Sequence, residues 1–147
     1  LSPAEAFWDS SALTPLCAEQ STSDHARALL PQFPPAVWWS ASVEIRSAVE
    51  RLYRSGDLDH DSKLLALARL YELSRNWDEV QPSDAVRDRA KALLDIYPLR
   101  AADGLQLAAA LVWCRNRPAG RTFLCADRRL SEAATRAGFT VVVPDSA

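Results

Sequence analysis

Five short apolar runs, each separated from the next by helical patterning, constrain this chain more than any other feature. The runs are 5–8 (EAFW), 36–40 (AVWWS), 77–80 (WDEV, the weakest), 121–126 (RTFLCA) and 139–143 (FTVVV). Helices are predicted over 11–18, 24–31, 42–55, 60–75, 83–96, 99–114 and 128–137. Ile45, Ala48, Val49 and Leu52 recur at i, i+3, i+4, i+7, and Gly56 ends that helix. Leu64, Leu67, Ala68 and Tyr71 repeat the pattern as the expected buried face of the next helix. Ser83 and Asp84 supply a cap and an acidic first turn, and Gly138 is the expected glycine beyond the last helix. Strands that alternate with helices need crossover connections. The expected fold is therefore α/β, with three layers (α/β/α) around a mostly parallel sheet of 4–5 strands and residues 1–147 as one domain.

The composition agrees with a globular domain and excludes several classes. At 147 residues, 48% apolar and 24% charged, the chain can bury a core without staples. No apolar run reaches the roughly 18 residues that span a bilayer. The opening LSPAEAFW lacks a basic region followed by an apolar stretch, so neither a signal peptide nor a membrane partner is expected. The chain contains no Met, so its numbering does not begin at an initiator. Cys17, Cys114 and Cys125 are odd in number and form no CxxC. Cys114, at the end of an apolar helix, and Cys125, in an apolar strand, read as buried small hydrophobes in a reducing compartment, and a cytoplasmic location is expected. His25 and His60 have no ligand-spaced partner, which argues against zinc. A net charge of −2 gives no global attraction to nucleic acid, although Arg115, Arg117, Arg121, Arg128, Arg129 and Arg136 crowd the last third.

The stretch 99–114, LRAADGLQLAAALVWC, is apolar on almost every face yet carries Asp103 in its first turn, followed by the uncharged Gln106. A carboxylate in apolar surroundings costs several kcal/mol, on the order of the penalty for an unpaired buried ion, unless something pairs with it. Three other acids fall at similar junctions. Asp9 follows Phe7 and Trp8 at the carboxyl end of the first strand, and Asp127 follows LCA at the end of the fourth. Glu44 stands in the first turn of the helix after the second strand, above Ala48 and Leu52 at the margin of its buried stripe. Helix capping would explain Asp9 or Asp127 taken singly, and the helix dipole Glu44 or Asp103. Together they converge on the edge where parallel sheets bind ligands. Like charges gathered there need a cation, and oxygen ligands suit a hard divalent ion such as Mg²⁺.

At this point the chain resembles a PIN domain, specifically the VapC-type toxin ribonucleases of bacterial toxin–antitoxin pairs. The blocks that carry the resemblance are FWDSSAL, SASVEIRSAVERLYRSGDLD, LRAADGLQLAAAL and FLCADRRLSEAATRAGFTVV, in order over nearly the whole chain. The resemblance implies a PIN-like fold and a Mg²⁺- or Mn²⁺-dependent endoribonuclease. It puts the acidic positions on Asp9, Glu44, Asp103 and Asp127, as catalytic residues and metal ligands, and the small hydroxyl position on Ser10. It also implies a homodimer and a cognate antitoxin protein over the active site. RNA would approach past Arg100, Arg128 and Arg129, since an acidic pocket needs a basic rim to accept phosphate. Two positions depart from the family's pattern: Cys125 stands where it often has Thr or Ser, and Gln106 where it often has His.

Other acidic α/β sites fit less well. A phospho-accepting receiver would pair acids after the first strand and place a Lys after the last, whereas Lys63 and Lys91 both fall in helices. A dehalogenase-like phosphatase needs DxD where this chain has Asp9-Ser10-Ser11, and a dinucleotide fold needs GxGxxG after the first strand. A PIN-like scaffold without catalysis, binding RNA or protein, is the remaining non-enzymatic reading, and a solitary PIN nuclease without an antitoxin is the other alternative.

Overall fold

Among the described residues, the alternation read from the sequence folds into a five-stranded parallel sheet with seven helices around it. The structure, a computed structural model, describes residues 4–146. In chain order the elements are β1 (Ala6–Trp8), α1 (Ser10–Cys17), α2 (Ser23–Leu29), β2 (Pro35–Trp38), α3 (Ala41–Arg54), α4 (His60–Ser74), β3 (Asp78–Val80), α5 (Asp84–Ile96), α6 (Ala101–Trp113), β4 (Thr122–Leu124), α7 (Arg128–Ala137) and β5 (Thr140–Val142). The strand order is β3-β2-β1-β4-β5, and every neighbouring pair is parallel. This is the three-layer α/β/α architecture expected. WDEV does form a strand, at the edge, where Asp78 and Glu79 face solvent.

The two-residue period of the strands divides the core. Ala6 and Trp8 of β1, Val37 of β2 and Leu124 of β4 pack on one face of the sheet against α1, α3 and α4. Phe7, Ala36, Trp38 and Phe123 point to the other face, against α5, α6 and α7. Phe7 and Phe123 stack there with ring centroids 5.5 Å apart. Helix α6 is buried from Gln106 to Leu111, as its nearly all-round apolar sequence requires. It approaches α5 closely through Gly104, where a Cβ would sit 3.1 Å from Leu94 Cδ2. Gly138 closes α7 in the left-handed region, at φ 116°.

One face is assigned differently from the sequence reading. Helix α4 buries Ala66 and Leu70, with Leu67 and Leu73 partly covered. Leu64 and Tyr71, expected on the buried stripe, are 52% and 62% exposed. The helix carries apolar residues on two overlapping faces, and packing against α1 and α3 selects the one centred on Ala66 and Leu70. Trp77 and Leu93 are buried. All three cysteines are free and buried. Among the described residues no helix is long and apolar enough to cross a membrane.

Candidate active site

Strand order reverses between β1 and β4, since the chain builds outward through β2 and β3 on one side and through β5 on the other. Loops leave such a point in opposite directions and open a crevice at the carboxyl ends of the strands. Trp8 pairs with Leu124 in register, so the residues that follow the two strands, Asp9 and Cys125, are neighbours at that crevice. The backbone N–H of Asp9 donates to Leu124 O at 2.9 Å, which fixes the junction.

The crevice is a cleft of about 420 Å³ that brings all four predicted acids together. Asp9, Glu44, Asp103 and Asp127 line it with Ser10, Ser11, Thr14, Ser47 and Arg51. They come from four separate segments: the end of β1, the first turn of α3, the first turn of α6 and the loop into α7. A larger, mostly apolar hollow of about 660 Å³ lies beside α1 and α4, away from these acids, with Glu72 as its one carboxylate.

Asp9 is the most buried of the four, 4% exposed. Its carboxylate caps α1 by accepting from Ser11 N at 3.1 Å, and Oδ2 also accepts from the Ser11 hydroxyl. Burial pushes its pKa up to about 6; the Ser11 hydrogen bonds oppose the rise, while Glu44 and Asp103 add to it. Glu44 is half-buried and held by three donors. Ser10 Oγ reaches Oε1 at 3.1 Å; Ser40 Oγ at 2.5 Å and Gln106 Nε2 at 3.1 Å reach Oε2. Asp103 is half-buried, and its pKa is raised by desolvation first and then by Asp127 and Glu44. Arg100 and Arg129 oppose that rise through space without forming an ion pair with it. Asp127 is exposed and caps α7, accepting from Leu130 N at 2.9 Å.

Capping thus describes Asp9 and Asp127 correctly, but it leaves the charge problem standing. Among the described residues none of the four carboxylates is in a salt bridge. The donor set is oxygen: four carboxylates and the Ser10 and Ser11 hydroxyls. Cys125 lies against Asp9, Sγ to Oδ2 at 3.7 Å, but burial pushes its thiol up to about 12, so it offers no thiolate. Such a set suits a hard divalent cation. Among the described residues no three His, Cys, Asp or Glu side chains close tightly enough to ligate one ion directly. Mg²⁺ tolerates that spacing, because it commonly takes one or two carboxylates and reaches others through retained water.

The basic residues are arranged differently from the simplest sequence expectation. Arg128 turns along its own helix to Glu132, Nε to Oε1 at 3.3 Å, and Arg100 and Arg129 are exposed at the rim. The arginine that lines the cleft is Arg51, which sequence reasoning missed. Its position seven residues after Glu44, two turns along one face of α3, is the signal that could have found it. Ser11 was missed as well. Its hydroxyl accepts from Ala126 N at 2.9 Å while donating to Asp9, so it links the ends of β1 and β4 beside Cys125.

No protein-family model matches the sequence, and neither does any curated protein. Solved structures do match. One, described as a toxin–antitoxin complex from Klebsiella pneumoniae, aligns with a TM-score of 0.68 over 97% of this chain and 100% of that one, at 16% identity. Another, described as FitAB bound to an IR36 DNA fragment, aligns with a TM-score of 0.61 over 95% of this chain and 94% of that one, also at 16% identity. At such identity the likeness is one of fold. It spans essentially the whole of each chain.

Proposed function

We propose that the protein is a metal-dependent endoribonuclease that acts as the toxin of a toxin–antitoxin pair. The observation that carries this reading is the convergence of Asp9, Glu44, Asp103 and Asp127 on one cleft at the strand-order reversal, with no side-chain cation paired to any of them among the described residues. The fold shared with a chain of the complex described as toxin–antitoxin supports the toxin part.

Asp9 and Asp103 would hold Mg²⁺ or Mn²⁺, with Glu44 and Asp127 completing the site directly or through water. When bound, the ion supplies an activated water and neutralises charge on the leaving oxygen of the phosphodiester. The chain's own residues prepare that site. Ser11 and the β1–β4 junction fix Asp9, and three donors fix the Glu44 carboxylate from α1, the start of α3 and α6. Arg51 within the cleft, with Arg100 and Arg129 at its rim, offsets the repulsion an incoming phosphate meets from the acids. A homodimer and an antitoxin covering the cleft belong to the same proposal.

The deciding experiment is cleavage of structured and unstructured RNA by the purified protein in Mg²⁺, Mn²⁺, Ca²⁺ and EDTA. Cleavage is expected in Mg²⁺ or Mn²⁺, weak in Ca²⁺ and abolished in EDTA. Undiminished cleavage in EDTA removes the metal reading, and RNA left intact in every condition leaves a non-catalytic scaffold. Induced expression should arrest growth, and coexpression of a small neighbouring gene should relieve it. Harmless expression without such a partner gene overturns the toxin part alone.

A further inference from the structure

A second groove adjoins the cleft. It lies between α3 and α4, encloses about 580 Å³, and shares Val43 and Ser47 with the carboxylate cleft, so the two are continuous over the first turns of α3. Its chemistry is the reverse of the cleft's. Arg46 and Arg54 line it, both exposed and neither in an ion pair among the described residues. The one carboxylate that lines it, Glu50, is already taken by Lys63 at 2.8 Å. Arg46 and Arg54 are eight residues apart, which puts their backbones about 12 Å apart along the helix axis. On the opposite wall Tyr71 presents an exposed ring, with the Arg75 guanidinium 5.7 Å over it.

A basic groove with an exposed aromatic wall, running out of an acidic cleft, has the chemistry of a path for a single nucleic-acid strand. Cations follow the backbone, and an aromatic face accepts a base of any sequence. We propose that the α3–α4 groove holds single-stranded RNA leading out of the cleft, with Arg46 and Arg54 on its phosphates and Tyr71 beneath a base. This rests on the nuclease reading of the cleft. A protein segment is the rival occupant, because Leu67 and Leu70 line the groove floor. The unpaired arginines favour a polyanion.

The test reads binding in EDTA, where no metal-dependent cleavage occurs. Fluorescence anisotropy of an unstructured, end-labelled RNA is measured across a salt series for four proteins. These are the wild type, Arg46→Ala/Arg54→Ala, Tyr71→Ala and a charge-matched control, Arg117→Ala/Arg136→Ala, at the amino-terminal edge of the sheet. Each phosphate contact contributes about 0.7 to the salt slope on a single strand, so the groove pair should lower the slope by about 1.4. Tyr71→Ala should weaken binding about tenfold, the scale of one lost base stack, and leave the slope unchanged. The control should bind as the wild type does. Circular dichroism melts verify that each variant is folded, and Arg46→Gln/Arg54→Gln serves as a second groove pair. A groove pair that matches the control in affinity and slope overturns the proposal, and so does a wild type that binds no RNA. If binding behaves as expected while no metal supports cleavage, the catalytic reading fails and the groove stands. If metal supports cleavage while the groove pair binds as the wild type does, the groove fails and the catalytic reading stands.

Discussion

Gln106 and Glu44 tie α6 to α3 beneath the cleft: the fully buried amide donates Nε2 to Glu44 Oε2 at 3.1 Å, while Gln106 Oε1 has no partner among the described residues. Two opposing quantities meet in this one side chain. A hydrogen bond to a charged group contributes about 1.5–3 kcal/mol, and a buried carbonyl without a donor costs about 1–3 kcal/mol. Gln106→Leu removes both, so stability in urea should change by no more than about 2 kcal/mol. Glu44 keeps only its serine tethers, and RNA cleavage should fall about tenfold, the low end of the loss when a partner that orients a metal-site ligand is removed. Initial rates beside urea melts decide it. A full rate with unchanged stability would make Gln106 a filler of the core. Gln106→Glu should be worse on both counts, since it adds a carboxyl against Glu44.

Asp9 makes stability depend on pH with an unusual sign. Burial holds its pKa at about 6 in the folded state, above the ordinary 3.8. Below 3.8 both states are protonated and Asp9 costs nothing. Between 3.8 and 6 the folded state holds the proton more tightly, so stability falls as pH rises, and above about 6 the full penalty of at most about 3 kcal/mol applies. Asp9→Asn keeps a residue able to cap α1 and removes the charge. In metal-free buffer it should raise the melting temperature by several degrees at about pH 7.5 and hardly at all at about pH 4. Mg²⁺ should raise the wild-type melting temperature at the higher pH, with a much smaller effect at the lower one. Equal melting temperatures for the two proteins at the higher pH would contradict the buried-charge assignment.

Much of this was legible in the sequence, for identifiable physical reasons. Strands buried on both faces read as apolar runs, so β1, β2 and β4 stand out; edge strand β5 is only partly covered yet is marked by its valines, whereas edge strand β3, with Asp78 and Glu79 exposed, reads weakly. The four acids were legible because each sits at a junction where an apolar strand or helix meets the carboxyl edge of the sheet. Helix α4 was misread for a specific reason: the spacing 64, 67, 68, 71 is as regular as 66, 70, 73, and only the surfaces of α1 and α3 choose between them. Arg51 and Ser11 were hidden because their roles come from neighbours distant in the chain. Ser11 bridges to Ala126, and Arg51 enters a cleft whose other walls come from β1 and α6.

Asp103→Asn isolates charge from shape in the first turn of α6. The carboxylate is half-buried and repelled by Asp127 and Glu44, so its neutralisation should leave the fold intact and stabilise it slightly without metal. Cleavage should fall by at least about 100-fold, the scale of losing one electrostatic contributor to the transition state. Parallel kinetics and thermal melts check this. A variant that loses fold and activity together would assign Asp103 to architecture.

Asp127 offers the cleanest separation of a structural role from a chemical one, because its capping bond and its charge answer to different substitutions. Oδ1 accepts from Leu130 N at 2.9 Å and caps α7, whose Leu130, Ala133 and Ala134 are buried. Asparagine caps about as well as aspartate, whereas alanine at a cap costs about 0.5–2 kcal/mol. Asp127→Asn should therefore melt within a degree or two of the wild type, and Asp127→Ala should melt lower by a few degrees. If Asp127 serves only as a cap, activity will follow stability and the asparagine variant will cleave RNA normally. If its charge belongs to the metal site, both variants will lose activity alike, by about tenfold or more, while differing in stability. The second outcome is expected, because Asp127 raises the pKa of Asp103 through space and so already shares that carboxylate's field. Normal cleavage by Asp127→Asn would reduce the acidic set to Asp9, Glu44 and Asp103.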